Sequence, residues 1–178
     1  MIIRLKDILR GPRHLDFTLA PDWWTGTVDE NDQIVGFDGA LHVEMTITKE
    51  TNKLAVTGRL MGKLRLRCDR CLGLYGHGLH SEFRLFLTHP PSDQAESDIE
   101  LSQEDMSLRF ISGDDIDIDD IIREQVYLSL PLKSLCREDC HGLCTVCGTN
   151  LNEGTCHCRG EKGHPAFLKL EKLELKTH

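Results

Sequence analysis

Aromatic side chains are scarce in this 178-residue chain: two Trp, two Tyr and six Phe make up 6% of it. Hydrophobic residues reach 39%, below the roughly 45–50% of an ordinary globular protein. A core drawn from so little is thin, so cross-linking by metal or disulfide is expected to help hold it. Long apolar runs are missing as well. The opening MIIRLKDILRGPRH is interrupted by Arg4, Lys6, Asp7 and Arg10. A secretory core needs roughly 7–15 uninterrupted apolar residues and a spanning helix about 20. The expected setting is the reducing cytoplasm, with no membrane partner.

Positive charge is in short supply overall, but the deficit is local. The formal net charge is −8. Between Asp93 and Glu124 twelve acids face Arg109 and Arg123, so that segment carries −10 and the remainder +2. The acidity of the whole chain therefore does not exclude an anion-facing surface elsewhere.

What is present begins with strand patterns. Leu41, Val43, Met45 and Ile47 alternate with polar residues, and Leu79, Phe83, Leu85 and Leu87 share one side of a second run. Clusters at Asp29–Asp32 and Gly36–Gly39 supply turns. Along Arg59–Cys71, the residues Arg59, Met61, Lys63, Arg65 and Arg67 fall on one face and Leu60, Gly62, Leu64, Leu66 and Cys68 on the other. Trp23 and Trp24 read as core or edge packing residues of this region. Pro90-Pro91 closes it, a polar linker follows, and Ser107–Ile111 reads as a short strand. Asp117 is placed to cap a helix whose Ile118, Ile121, Ile122, Gln125, Val126 and Ser129 share a face, with Asp119 and Asp120 in its first turn and Pro131 beyond its end. The expected architecture is α+β: an antiparallel β-rich body over residues 1–90, an acidic linker over 91–116, a helix returning to the body over 117–135, a cysteine-rich zinc ribbon over 136–160, and a short C-terminal helix within 161–178, from Pro165 through Leu173.

Eight cysteines in a chain expected to stay reduced point to metal rather than disulfides. Cys144-x-x-Cys147 followed by Cys156-x-Cys158 has the spacing of one tetrahedral site, and Gly148 supplies the backbone freedom a metal-binding turn asks for. That leaves Cys68, Cys71, Cys136 and Cys140 for a second site across a long connection. Buried free thiols, or a mixed set drawn from Cys136, Cys140, Cys144 and Cys147, are the rival readings. One or two zinc ions are expected, with iron as the alternative metal. All-thiolate zinc sites are closed, whereas catalytic zinc keeps an open position, and no His-Glu-x-x-His is present. A protein that is not an enzyme is expected.

These motifs, Cys68-Asp-Arg-Cys71-Leu72, the helix running into Leu128-Ser-Leu-Pro131, Cys136 to Cys140, and Gly142-Leu-Cys144-Thr-Val-Cys147-Gly148-Thr-Asn150-Leu-Asn152 ending in Cys156-His-Cys158, resemble those of the YceD-like family, the large ribosomal RNA subunit accumulation proteins. The resemblance covers residues 68–158. It implies a non-enzymatic factor of bacteria or organelles that supports accumulation of large-subunit ribosomal RNA. The expected partner is ribosomal RNA or a precursor of the large subunit, met through Arg59, Lys63, Arg65, Arg67 and Arg70; no DNA is expected. A solvated strand face is the simpler reading of the same residues. A second functional reading is an adaptor that docks a basic ribosomal protein on the acidic segment.

Overall fold

The computed structural model describes residues 1–9, 11–24, 33–90, 108–111 and 113–158. Most of the acidic linker, the Asp29–Asp32 turn and the expected helix from Pro165 lie outside these residues.

Strand β1 (Ile2–Arg4) leads through a single helical turn α1 (Leu5–Ile8) into β2 (Arg13–Leu19), and a one-turn 3-10 helix spans Pro21–Trp24. Then come β3 (Ile34–Phe37), β4 (Leu41–Lys49), β5 (Leu54–Arg67), β6 (Leu74–Thr88), β7 (Leu108–Phe110), β8 (Asp115–Asp117) and α2 (Ile118–Leu128). The main sheet has the order β2-β4-β5-β6-β7. Long β5 divides one edge between two partners: β4 takes Leu54–Met61 and β3 takes Leu64–Leu66. On its other edge β6 pairs with it from Leu54 to Arg67. Gly39, at φ 112°, makes the turn from β3 to β4, a conformation that costs a glycine little.

The expected alternation is realised. Leu41, Val43, Met45 and Ile47 of β4 are buried with Leu60, Leu64 and Leu66 of β5 and with Leu79, Leu85 and Leu87 of β6. The opposite face of β5 keeps Arg59, Lys63, Arg65 and Arg67 exposed. The sheet is mixed and not wholly antiparallel, because β7 runs parallel to β6 at Phe86–Thr88. A parallel neighbour needs a crossover of a dozen residues or more, and the chain between them is long enough.

Helix α2 begins where its cap places it: the Asp117 side chain accepts a hydrogen bond from the Asp119 N–H at 3.0 Å, which satisfies one of the helix's orphan donors. Its buried residues are Ile118, Ile121, Ile122, Gln125 and Val126; Ser129, which the spacing also placed on this face, is the half-buried C-cap. The four apolar ones join Ile3, Ile8, Trp24, Ile116 and the sheet in one core. Trp24 is fully buried against Phe37 and Tyr127, and the Trp23 indole N–H donates to Asp119. Among the described residues, no helix is long and apolar enough to cross a membrane.

Candidate metal centres

The strand expected to run through Cys71 stops at Arg67, because residues 68–73 turn the chain from β5 into β6. The Cys68 N–H donates to Gly73 O at 2.9 Å, and the Leu72 N–H donates to Cys68 O at 2.9 Å. The first cysteine pair is therefore the tip of the longest hairpin. Beyond α2 the chain comes back to this tip. Asp69 N–H donates to Ser134 O at 2.8 Å, and Ser134 N–H donates to the Asp69 carboxylate at 2.7 Å. This docking carries Cys136 and Cys140 up to Cys68 and Cys71.

The four sulfurs lie within 4.8 Å of one another. Cys68 Sγ is 3.8 Å from Cys140 Sγ, and Cys71 Sγ is 3.8 Å from Cys136 Sγ. A disulfide would require about 2.05 Å. A tetrahedron with metal–sulfur bonds of about 2.3 Å has edges of about 3.8 Å, so the spacing fits a four-coordinate metal. Cys68, Cys71 and Cys140 are buried, with Tyr75, Leu135 and Leu143 packed against them. The Cys136 N–H points at Cys68 Sγ at 3.4 Å, and the Asn152 amide N–H at Cys140 Sγ at 3.3 Å.

Four residues beyond Cys140, Cys144 opens the second cluster. Its turn repeats the first: Gly148 N–H donates to Cys144 O and Cys144 N–H to Thr149 O, both at 2.8 Å. Cys156 and Cys158 complete a second set of four sulfurs within 4.8 Å. This set is more open to solvent, with Cys147 and Cys158 exposed. The segment holds turns and an isolated antiparallel bridge, Leu143 with Asn150, a much smaller stranded content than a zinc ribbon would carry. Among the described residues the sulfurs gather as Cys68, Cys71, Cys136 and Cys140 and as Cys144, Cys147, Cys156 and Cys158, not as a mixed set of Cys136, Cys140, Cys144 and Cys147.

Four thiols this close do not all lose their protons together unless a cation offsets their charge. Burial pushes the Cys68 thiol up, but the N–H groups of Cys71, Cys136 and Arg70 outweigh it and bring it down to about 6. Burial and the neighbouring sulfurs of Cys140, Cys71 and Cys68 push Cys136 up to about 12. The second cluster splits the same way. The Thr149 hydroxyl and N–H bring Cys147 down to about 6, while Cys158, beside the Cys147 sulfur, is pushed up to about 12. A bound divalent cation is what lets all four sulfurs of a cluster be thiolates together.

The proposed basic row is less free than the sequence suggests. Arg59 pairs with Glu82 at 2.8 Å and reaches Glu44 at 3.9 Å, and Arg65 pairs with Asp38 at 2.7 Å. Arg70 stays exposed and donates to the Cys140 carbonyl at 2.9 Å and to the Glu138 carbonyl at 3.4 Å, bracing the first cluster from outside. Lys63 and Arg67 have no acidic partner among the described residues. Lys63 lies along the neighbouring strand where Gly76 has no side chain: a Cβ there would stand 2.4 Å from Lys63 Cε. The acidic segment is also partly answered from within, since Arg109 contacts Glu124 at 2.8 Å and Asp120 at 3.8 Å. Sequence reasoning overlooked Asn152; its one signal was the Asn150-x-Asn152 pair beside a cysteine turn.

A family model described as "Large ribosomal RNA subunit accumulation protein YceD" matches residues 56–174. A protein of Zea mays named large ribosomal RNA subunit accumulation protein YCED homolog 1, chloroplastic, is 28% identical over 140 residues, covering 66% of this chain and 48% of the relative. Its namesake in Arabidopsis thaliana is 27% identical over 154 residues, covering 75% and 48%. An uncharacterized protein of Mycobacterium leprae is 27% identical over 133 residues, covering 74% and 55%. The chain spans about half the length of these relatives. No solved structure is matched.

Proposed function

The chain belongs to the YceD family of large ribosomal RNA subunit accumulation proteins, and on that premise we propose that it is a non-enzymatic, zinc-organised factor that supports large-subunit ribosomal RNA by contacting the RNA or a precursor particle. One observation carries the reading: two clusters of four sulfurs within 4.8 Å of one another, the first joining the β5–β6 hairpin tip to the segment after α2. With sulfur at all four corners, neither cluster keeps a corner for water or substrate, which favours a structural ion over a catalytic one. Such sites suit zinc, with iron as the competing ion. They persist in a reducing compartment such as the cytoplasm, where disulfides do not compete for the thiols.

The bound ions would hold the distal hairpin rigid and keep the exposed Lys63 and Arg67 in fixed places beside it, and clustered cations on a rigid frame are what phosphate backbones select. Arg59, Arg65 and Arg70 would contribute chiefly by shaping that frame, since their guanidinium groups already have partners.

The test is salt-titrated binding of large-subunit ribosomal RNA to the metal-loaded protein. Lys63→Glu combined with Arg67→Glu is expected to reduce affinity and flatten the salt dependence by about two logarithmic units of slope, about one for each lost phosphate contact. Metal content should remain two ions per chain. Unchanged RNA binding would remove the RNA contact from this face, and a chain that binds no metal would remove the reading altogether.

A further inference from the structure

The two cysteine clusters are neighbours in space as well as in sequence. Three residues, His141, Gly142 and Leu143, separate Cys140 from Cys144. Leu143 N–H donates to Arg70 O at 3.1 Å, which ties the start of the second cluster to the first cluster's hairpin turn. Leu151 N–H donates to Gly142 O at 2.9 Å, which folds the loop between Cys147 and Cys156 back over the stretch between the clusters. Gly142, at φ 73°, leaves no room for a side chain there: a Cβ would stand 3.0 Å from Arg70 O.

Asn152 sits on that loop and reaches across to the first cluster with its whole amide. Its Oδ1 accepts from the His141 N–H at 2.8 Å and from Arg137 Nη2 at 2.8 Å. Its Nδ2 donates to Cys140 Sγ at 3.3 Å and to Asn150 Oδ1 at 2.9 Å. Asn150 Oδ1 also accepts the Asn152 N–H at 3.1 Å, and Asn150 Nδ2 donates to Glu153 at 2.7 Å, so the loop itself orients Asn152. One side chain from the second cluster's loop therefore accepts from Arg137 and from the His141 N–H and donates to one of the first cluster's four sulfurs.

We propose that Asn152 couples the two clusters, so that a metal ion closing the Cys144/Cys147/Cys156/Cys158 site tightens metal binding at the Cys68/Cys71/Cys136/Cys140 site. The inference rests on the metal-binding reading above. An ion in the second cluster joins Cys144 and Cys147 to Cys156 and Cys158 and closes the loop that bears Asn152. With that loop closed, the amide is held in place to neutralise part of the Cys140 thiolate charge and to fix the Cys136–Cys140 turn. Partners outside the coordination sphere commonly change metal affinity about 10–100-fold. Binding coupling is reciprocal, so an ion in the first cluster tightens the second by the same factor.

The experiment is a double-mutant cycle on the full chain, read by competition with a chromophoric chelator for zinc and by the thiolate-to-cobalt absorption of the cobalt-loaded protein. Cys156→Ser with Cys158→Ser disables the second cluster and is expected to weaken the first by about 10–100-fold. Asn152→Leu, with all eight cysteines present, is expected to weaken the first cluster by a similar factor, and the combined variant should lose little more. Asn152→Asp keeps acceptors for His141 and Arg137 but loses the donor to sulfur; it should weaken the first cluster as Asn152→Leu does and serves if that variant folds poorly. Losses that multiply in the combined variant, or a first cluster indifferent to the second, would overturn the coupling while leaving the metal reading standing. Wild-type protein that takes up fewer than two ions, or shows no thiolate-to-cobalt band, would overturn the metal reading itself.

Discussion

Leu72 and Gly148 occupy the same position in two turns of one shape. Each follows the second cysteine of a Cys-x-x-Cys pair, each donates its N–H to the carbonyl of the first cysteine, at 2.9 and 2.8 Å, and each has positive φ, 58° and 74°. Glycine adopts that conformation freely, whereas for other L-residues it costs roughly 1–2 kcal/mol. Leu72 bears this cost with a side chain that is 54% exposed, so little packing within the described residues offsets it.

Exchanging the two residue types tests that relationship. Leu72→Gly is expected to leave the metal-loaded protein as stable or up to about 1 kcal/mol more stable, the relief of strain being partly offset by the greater freedom of the unfolded chain. Gly148→Val should cost about 1–2 kcal/mol. Denaturant unfolding at fixed metal concentration measures both.

The helix cap offers a second test. Asp117→Ala removes the acceptor for the Asp119 N–H and should cost about 1 kcal/mol. Asp114→Ala, just upstream and outside the cap, should stay within about 0.5 kcal/mol of wild type. Urea unfolding of the two variants side by side separates the cap from a general effect of acidic charge.

Core thinness predicts a sharp contrast between leucines. Leu60 is fully buried at the centre of β5, whereas Leu132 is as exposed as an extended chain allows, at 105%. Leu60→Ala should cost about 2–5 kcal/mol, lost burial and cavity together. Leu132→Ala should leave thermal unfolding unchanged within error.

The metal-free protein should show a stability optimum in pH that loading removes. The Cys68 thiol is held at about 6, below its ordinary value near 8.5. Its thiolate therefore stabilises the fold above about 8.5, and that contribution drains away as pH falls towards 6. Cys136, pushed up to about 12, acts oppositely: its thiol form contributes below about 8.5 and is lost as pH rises towards 12. Cysteine-linked stability should thus peak near the ordinary thiol value in reduced, metal-free protein. Zinc-loaded protein should keep its stability across the neutral range and lose the ion as acid protonates the ligands. Unfolding free energies measured from pH 6 to 9, with and without chelator, check both halves.

How far the sequence could be read depended on the range of the interactions. The β4 alternation, the α2 face and the Asp117 cap are local periodic signals, and each appears at the expected residues. The Cys144, Cys147, Cys156 and Cys158 grouping is local too. The pairing of Cys68 and Cys71 with Cys136 and Cys140 followed from counting, and its physical basis, the contact between Asp69 and Ser134, joins residues 65 apart. Strand β7 lies within the expected Ser107–Ile111, but its parallel direction gave no signal, since three residues with no fixed partner do not announce it. Nor did the fate of the arginines: Arg65 finds Asp38 and Arg70 finds the Cys140 carbonyl only once the hairpin folds over them.

Composition and spacing alone determined that this is a strand-rich chain with an amphipathic helix after Asp117 and eight metal-suited cysteines, because periodicity and close ligand spacing are properties of neighbouring residues. Only the tertiary structure decided among the rival groupings of Cys68, Cys71, Cys136 and Cys140, which cations remain exposed, and that Asn152 reaches from one cluster to the other. Those facts depend on distances between segments far apart in the chain, set by how the hairpin, the helix and the cysteine-rich segment pack together.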